Sequence, residues 1–266
     1  MKSAATTFAS ADPAVSLVSS RVPARPKIAE ADVQKFVESM FLEDLHARRV
    51  LSLGHGVLGV LHGGSLAIHT IGQGLAQARG LDPEHAVNQM DRMLSNKGID
   101  LADLFPSWVR FVVSQQTEII VTLDWTEFDA DDHSTIALNR VTSQGRATPL
   151  LWKTVKKSEL KDRRNDHEDT ILELLREILP LPLRITVLAD RGFGDQKRNL
   201  FCESLGLDYV IRLKQCILVT DARGDTMPAE DWVPANRHVT RIPGARVTAT
   251  QLEMVRTWIL AGAKDD

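Results

Sequence analysis

Two short apolar runs do most to limit what this chain can fold into. Ile119-Ile120-Val121-Thr122-Leu123 and Ile185-Thr186-Val187-Leu188-Ala189 each end on an aspartate, Asp124 and Asp190. Runs of this length, rich in β-branched residues, read as buried strands. The second is followed at once by a glycine-containing turn, Arg191-Gly192-Phe193-Gly194-Asp195. An α/β sheet presents a carboxylate in this way, at the carboxyl end of a buried strand. Two carboxylates held close together repel, and a divalent cation relieves that repulsion. The pair therefore points to a shared metal, and a metal to phosphate chemistry.

The period of the apolar positions changes along the chain. Residues 1–30 hold small polar residues with Pro13, Pro23 and Pro26 and read as a disordered tail. From residue 31 to 113 the pattern is helical: Val33, Phe36, Val37, Met40 and Phe41 recur on one helical face. The glycine-rich stretch 51–80 reads as helices packed closely through small residues, and Asp82-Pro83-Glu84 as a helix start with Asn96-Lys97-Gly98 as its stop. After Ser114, residues 118–123, 134–141 and 147–155 read as strands joined by the polar turns Asp129-Ala130-Asp131-Asp132 and Ser143-Gln144-Gly145-Arg146. Short connections of this kind make consecutive strands antiparallel. An amphipathic helix comes after them, with Asp166 as its N-cap and Ile171, Leu174, Leu175, Ile178 and Leu179 as its stripe, ended by Pro180 and Pro182. Strand 185–189, helix 195–205 and strand 208–213 come next, and beyond Lys214 only short β segments are legible, the last at 254–260. The order β-β-β-α-β-α-β is that of an RNase H-like sheet, in which the first and fourth strands are neighbours and Asp124 meets Asp190. The fold class expected is α/β (α+β): a helical amino-terminal domain at 31–113, then a mixed-sheet domain from 114 to 266.

The 266 residues carry a net charge of −3, with 43% hydrophobic and 25% charged residues, ordinary globular values. A nucleic-acid binder of this balance has to rely on local basic clusters. Lys153, Lys156, Lys157, Lys161, Arg163 and Arg164 form such a cluster, either a solvated loop or a set that neutralises backbone phosphates. Arg191 can pair with a neighbouring carboxylate or meet a phosphate. Cys202 and Cys216 form neither a CxxC pair nor a zinc spacing and read as reduced thiols. No apolar run reaches membrane-spanning length, so no membrane partner is expected.

Several suggestive patterns carry no site. Asp129, Asp131 and Asp132 lack the glycine and glutamate of a calcium loop. Gly72 and Gly74 lack a preceding strand and a third glycine, so they are no dinucleotide fingerprint. His55, His62 and His69 recur every seven residues, which puts successive ones about 10 Å apart on a helix, too far for one metal. Trp125 and Trp152 read as core or sheet-face aromatics.

The motifs Leu123-Asp124-Trp125-Thr126-Glu127-Phe128-Asp129, Gly145-Arg146-Ala147-Thr148-Pro149-Leu150-Leu151-Trp152, Leu188-Ala189-Asp190-Arg191-Gly192-Phe193-Gly194-Asp195 and Asp208-Tyr209-Val210-Ile211-Arg212 together resemble the DDE transposases of bacterial insertion sequences, in the type with a β-rich insertion in the catalytic core. Ile71-Gly72-Gln73-Gly74-Leu75-Ala76 and Met93-Leu94-Ser95-Asn96-Lys97-Gly98 resemble that family's helical amino-terminal part, which implies that the helical domain at 31–113 binds DNA. The resemblance covers roughly residues 43–263 and implies a cut-and-paste enzyme that cleaves and joins DNA with Mg²⁺ or Mn²⁺. Asp124 and Asp190 match its first two metal-holding acids. Lys156, Lys157, Arg163, Arg164 and Arg191 become candidate contacts to double-stranded DNA, the terminal inverted repeats and the target. The resemblance also implies a cytoplasmic, nucleoid-associated location, with a homodimer or a full-length transposase subunit as partner.

The family's third acid lies in the pattern Tyr-x2-Arg-x3-Glu-x6-Lys on a late helix. Here Tyr209 and Arg212 have the spacing, but position 216 is Cys and position 223 is Arg. Glu203, Glu230 and Glu253 are the later glutamates, and none is placed like that third ligand. The expectation is a truncated copy that ends inside an insertion beginning near residue 215. Two alternatives stand beside an active transposase: a catalytically inactive DNA-binding or dimerising fragment, and a stand-alone metal nuclease that recruits Glu203 or an acid from another subunit.

Overall fold

The computed structural model describes residues 28–193, 196–212, 217–233, 240–247, 252–253 and 258–259. Residues 1–27 of the expected tail, Cys216, and most of the expected last β segment lie outside them. Five helices come first: α1 (Glu30–Phe41), α2 (Ala47–Gly63), α3 (Ile68–Arg79), α4 (Pro83–Leu94) and α5 (Leu101–Val113). After these come β1 (Glu118–Phe128), β2 (His133–Val141), β3 (Ala147–Lys156), α6 (Arg164–Ile178), β4 (Arg184–Ala189), α7 (Gln196–Ser204) and β5 (Asp208–Ile211).

The helical part holds together as its sequence suggests. Asp82 caps α4 by accepting from the His85 N–H at 3.0 Å, with Pro83 in the first turn. Val33 and Val37 of α1 are buried, whereas Phe36 is 45% exposed and meets the Phe111 ring edge-on. Glycines let α2 and α3 touch along their backbones: a Cβ on Gly59 would come 2.5 Å from the Ile71 carbonyl oxygen. The helix break between Gly63 and Ile68 also separates the histidines: His55 and His62 sit on α2 and His69 on α3. His55 is buried, and its Nδ1 lies 2.9 Å from the Gln89 amide.

The five-stranded sheet has the order β3-β2-β1-β4-β5. β2 is antiparallel to both its neighbours, and β1, β4 and β5 run parallel. Alternation decides what each face sees. Ile119, Val121 and Leu123 of β1 and Ile185 and Val187 of β4 point into a core closed by Ile171, Leu172, Leu175 and Ile178 of α6. The intervening residues point the other way, where Ile120 stays 45% and Val210 46% exposed. α6 begins at Arg164, with Arg163 in the capping position, so Asp166 falls in the first turn and is not the N-cap. The buried stripe of α6 is Glu168, Ile171, Leu172, Leu175 and Ile178; Leu174 is only partly buried.

α5 joins the two cores. Its Leu104 packs with the helices, while Phe105, Val109 and Val113 belong to the sheet core. The Phe105 ring meets Trp152 edge-on at 5.0 Å, and Trp108 Nε1 donates to the Pro149 carbonyl at 2.8 Å. Beyond β5 come short strands: β6 (Leu218–Thr220), β7 (Thr226–Pro228), β8 (Thr240–Arg241), β9 (Arg246–Val247), β10 (Leu252–Glu253) and β11 (Trp258–Ile259). They form a small antiparallel sheet, β10-β9-β6-β7, and a separate pair, β11-β8. Among the described residues no single helix is long and apolar enough to cross a membrane.

Candidate functional site

The parallel ladder between β1 and β4 sets the site. Its last pair is Leu123 with Ala189, so Asp124 and Asp190 are the next residues on neighbouring strands. Adjacent strands lie about 4.8 Å apart, the spacing at which Leu123 and Ala189, the residues just before the two aspartates, are paired. Both side chains are exposed, and the alternation along β1 puts Asp124 on the face away from α6. The sequence places Asp124 at a strand end, but β1 runs on to Phe128 because it continues its antiparallel pairing with β2 through Phe128 and His133. Asp124 thus ends the parallel ladder and not the strand. The Trp125 N–H donates to Asp124 Oδ1 at 2.9 Å.

Asp190 closes a turn in which the Phe193 N–H donates to its carbonyl at 3.0 Å. On its other side, Arg212 Nη1 lies 3.8 Å from Asp190 Oδ1, and both side chains are more than half exposed. Arg212 reaches this position because its N–H extends the β4–β5 ladder to the Ala189 carbonyl at 3.0 Å. The Arg191 backbone is part of the turn, and its side chain lies outside the described residues. Glu203 does not join the pair: it accepts from the Tyr209 hydroxyl at 2.9 Å, and Tyr209 packs against the buried core. Among the described residues no group of three His, Cys, Asp or Glu side chains converges as a metal site.

Behind the carboxylates, on the covered side of the sheet, lies a polar clamp. Trp125 Nε1 donates to Glu168 Oε1 at 2.8 Å. Glu168 and Arg198 form an ion pair with side chains only 6% and 3% exposed, and Arg198 also binds Asp169. Burial pushes the Glu168 carboxyl above the usual carboxylate range, against the pull of the Trp125 N–H and the Arg198 charge. The clamp ties the residue after Asp124 to α6 and to α7, the helix that follows the Asp190 turn. Glu168 had a sequence signal, a charge set three and four residues before Ile171 and Leu172 on an apolar helical face.

The basic loop is more neutralised than its composition suggests. Lys157 pairs with Glu127 at 3.1 Å and with Asp129; Arg164 pairs with Glu127 and stacks over the Trp125 ring, 5.2 Å from its centre. Arg164 and Lys157 hold the Glu127 carboxyl below its ordinary range. Lys156 meets Glu159 loosely at 3.8 Å, and Arg163 occupies the N-cap position of α6 with neither a side-chain cap hydrogen bond nor an ion pair among the described residues. Asp132, in the expected solvated turn, accepts from the Ser158 hydroxyl at 2.7 Å. Burial pushes the Cys202 thiol up to about 11, which makes it an unreactive core residue. Comparison with protein-family models and with curated proteins gives no match for this chain.

Proposed function

We propose that this chain is a DNA-cleaving and DNA-joining protein of the DDE transposase type, with an RNase H-like core in which Asp124 and Asp190 hold a divalent cation. The observation that carries the reading is the β1–β4 register, whose last pair, Leu123 with Ala189, is followed on each chain segment by an exposed aspartate, Asp124 and Asp190. The strand order, with β2 alone antiparallel, supports it as well.

The donors suit Mg²⁺ or Mn²⁺. Both are hard carboxylate oxygens open to solvent, and Mg²⁺ is commonly held by one or two carboxylates with water and substrate phosphate completing its shell. Such a cation supplies polarisation of a phosphodiester and activation of an attacking water or 3′-hydroxyl. The chain's own residues position the donors. The Trp125 N–H orients Asp124, and the Glu168 clamp fixes Trp125 from behind the sheet. Arg212 is loosely paired with Asp190 and exposed, so it can turn to a phosphate oxygen once the carboxylate binds a cation. The DNA partners under this reading are the inverted repeats of a mobile element and its target, with a second copy or a full-length transposase subunit completing the assembly.

A second reading, a non-catalytic DNA-binding or dimerising protein, is favoured by the lack of a third converging acid among the described residues. Incubating the chain with Mg²⁺ and a duplex bearing terminal repeats separates the two. Cleavage that disappears in Asp190→Ala supports the transposase reading. Duplex binding without cleavage, unchanged in Asp190→Ala, supports the second, and absence of both overturns both.

A further inference from the structure

The clamp on the covered side of the sheet reaches both carboxylate-bearing segments. Arg164, His167 and Glu168 stand at i, i+3 and i+4 on one face of α6. All three meet the Trp125 side chain: Arg164 over its ring, His167 edge-on at 6.4 Å between centres, and Glu168 through the indole N–H. Trp125 in turn donates its backbone N–H to Asp124. From the other side comes Arg198, in the first turn of α7, the helix that follows the Asp190 turn. Its guanidinium binds Glu168 and Asp169, and Cys202, one turn further on, is buried with it. A path of hydrogen bonds and one ion pair thus runs from Asp124 through Trp125 and Glu168 to Arg198.

Net stability gives little reason to keep this arrangement. A buried ion pair can often be replaced by apolar residues of similar volume without loss. Compensation here is incomplete as well. Arg198 Nε and the neighbouring Asn199 Oδ1 are buried with no hydrogen-bond partner among the described residues, and burial pushes the Glu168 carboxyl up. What the pair does supply is direction, since the guanidinium fork fixes orientation as well as distance. Groups that hold metal-ligating side chains from behind are commonly worth about 10–100-fold in metal affinity. We propose that Glu168 and Arg198 are positioning residues for the carboxylate pair, a strut that sets Asp124 against the Asp190 turn through Trp125. The proposal rests on the reading of Asp124 and Asp190 as a cation site.

The test compares the full chain with Glu168→Leu/Arg198→Met, which removes the strut and keeps an apolar filling. Three quantities are measured: the urea midpoint, Mn²⁺ affinity by calorimetry, and amide hydrogen exchange at Trp125 and Phe193 in metal-free protein. The expected result is a midpoint close to the parent's, an Mn²⁺ affinity lowered about tenfold or more, and faster exchange at both amides. A purely structural role would move the midpoint and leave the affinity of the folded chain unchanged. Glu168→Gln keeps an acceptor for Trp125 but loses the charge facing Arg198, and it carries the same comparison if the double variant fails to fold. Unchanged Mn²⁺ affinity at matched stability overturns the proposal and leaves the cation reading standing. A parent that binds no Mn²⁺ overturns the cation reading instead. Exchange then decides the strut: faster exchange in the variant upholds it, and unchanged exchange overturns it.

Discussion

Replacing Glu168 by alanine isolates a buried charge, and the structure sets the size of the effect. The Arg198 side chain is 3% exposed and, among the described residues, keeps Asp169, itself 40% exposed, as its one ion-pair partner once Glu168 is gone. The Trp125 Nε1–H loses its acceptor as well. Removing one partner of a buried pair costs about 3–5 kcal/mol. The retained Asp169 contact pulls the expectation towards the lower end, about 3 kcal/mol. That is a large share of the 5–15 kcal/mol typical of a domain. The raised Glu168 carboxyl adds a second, opposite expectation: desolvation outweighs the attraction of Arg198, so the intact pair contributes little net stability. Glu168→Leu/Arg198→Met should therefore recover most of the loss and come within about 1 kcal/mol of the parent. Urea unfolding followed by tryptophan fluorescence, on the full chain and all three variants, gives the numbers. A Glu168→Ala loss below about 1 kcal/mol, or a double variant as unstable as the single, refutes the reasoning.

Gly59→Ala pushes a Cβ to 2.5 Å from the Ile71 carbonyl oxygen and should destabilise by about 1–3 kcal/mol, although alanine is the better helix former. Gly54→Ala meets only the tip of the Gln34 side chain and should be neutral or gain up to about 1 kcal/mol; thermal melts that rank the two the other way refute the packing account. Burial, and then the Arg79 charge, hold His55 below its ordinary 6.5 against the opposing pull of Glu30, so the unfolded chain takes the proton first. Stability from this group is present above pH 6.5 and is lost as pH falls from there through the lowered folded value. His55→Asn should show a smaller drop in urea midpoint between pH 7.5 and pH 5 than the parent, and an equal drop would rule out His55 as a source.

How much the sequence disclosed depends on how local each signal is. The parallel adjacency of β1 and β4 was legible because both read as buried apolar runs of matching length, and the connection between β3 and β4 is long enough to place β4 parallel to β1. The length of β1 was not legible: Trp125-Thr126-Glu127-Phe128 has no strand alternation of its own and is held by pairing with β2. Lys157 and Arg164 read as free cations because the acids that bind them, Glu127 and Asp129, come from a different part of the chain. Asp166 looked like a cap because its side chain suits one, yet α6 starts two residues earlier. Of the buried polar set only His55 was singled out in the sequence; Glu168 was not, although a charge three and four residues before Ile171 and Leu172 interrupts the apolar stripe of α6.

The central claim is that Asp124 and Asp190 act together as one cation site, and calorimetric titration of the full chain with Mn²⁺ and Mg²⁺ tests it most directly. The expected result is one saturable site that is lost in Asp124→Asn and equally in Asp190→Asn, while both variants still melt cooperatively at about the parent's temperature, since both side chains are exposed. Binding that survives either substitution, or no binding to the parent even with duplex DNA present, contradicts it.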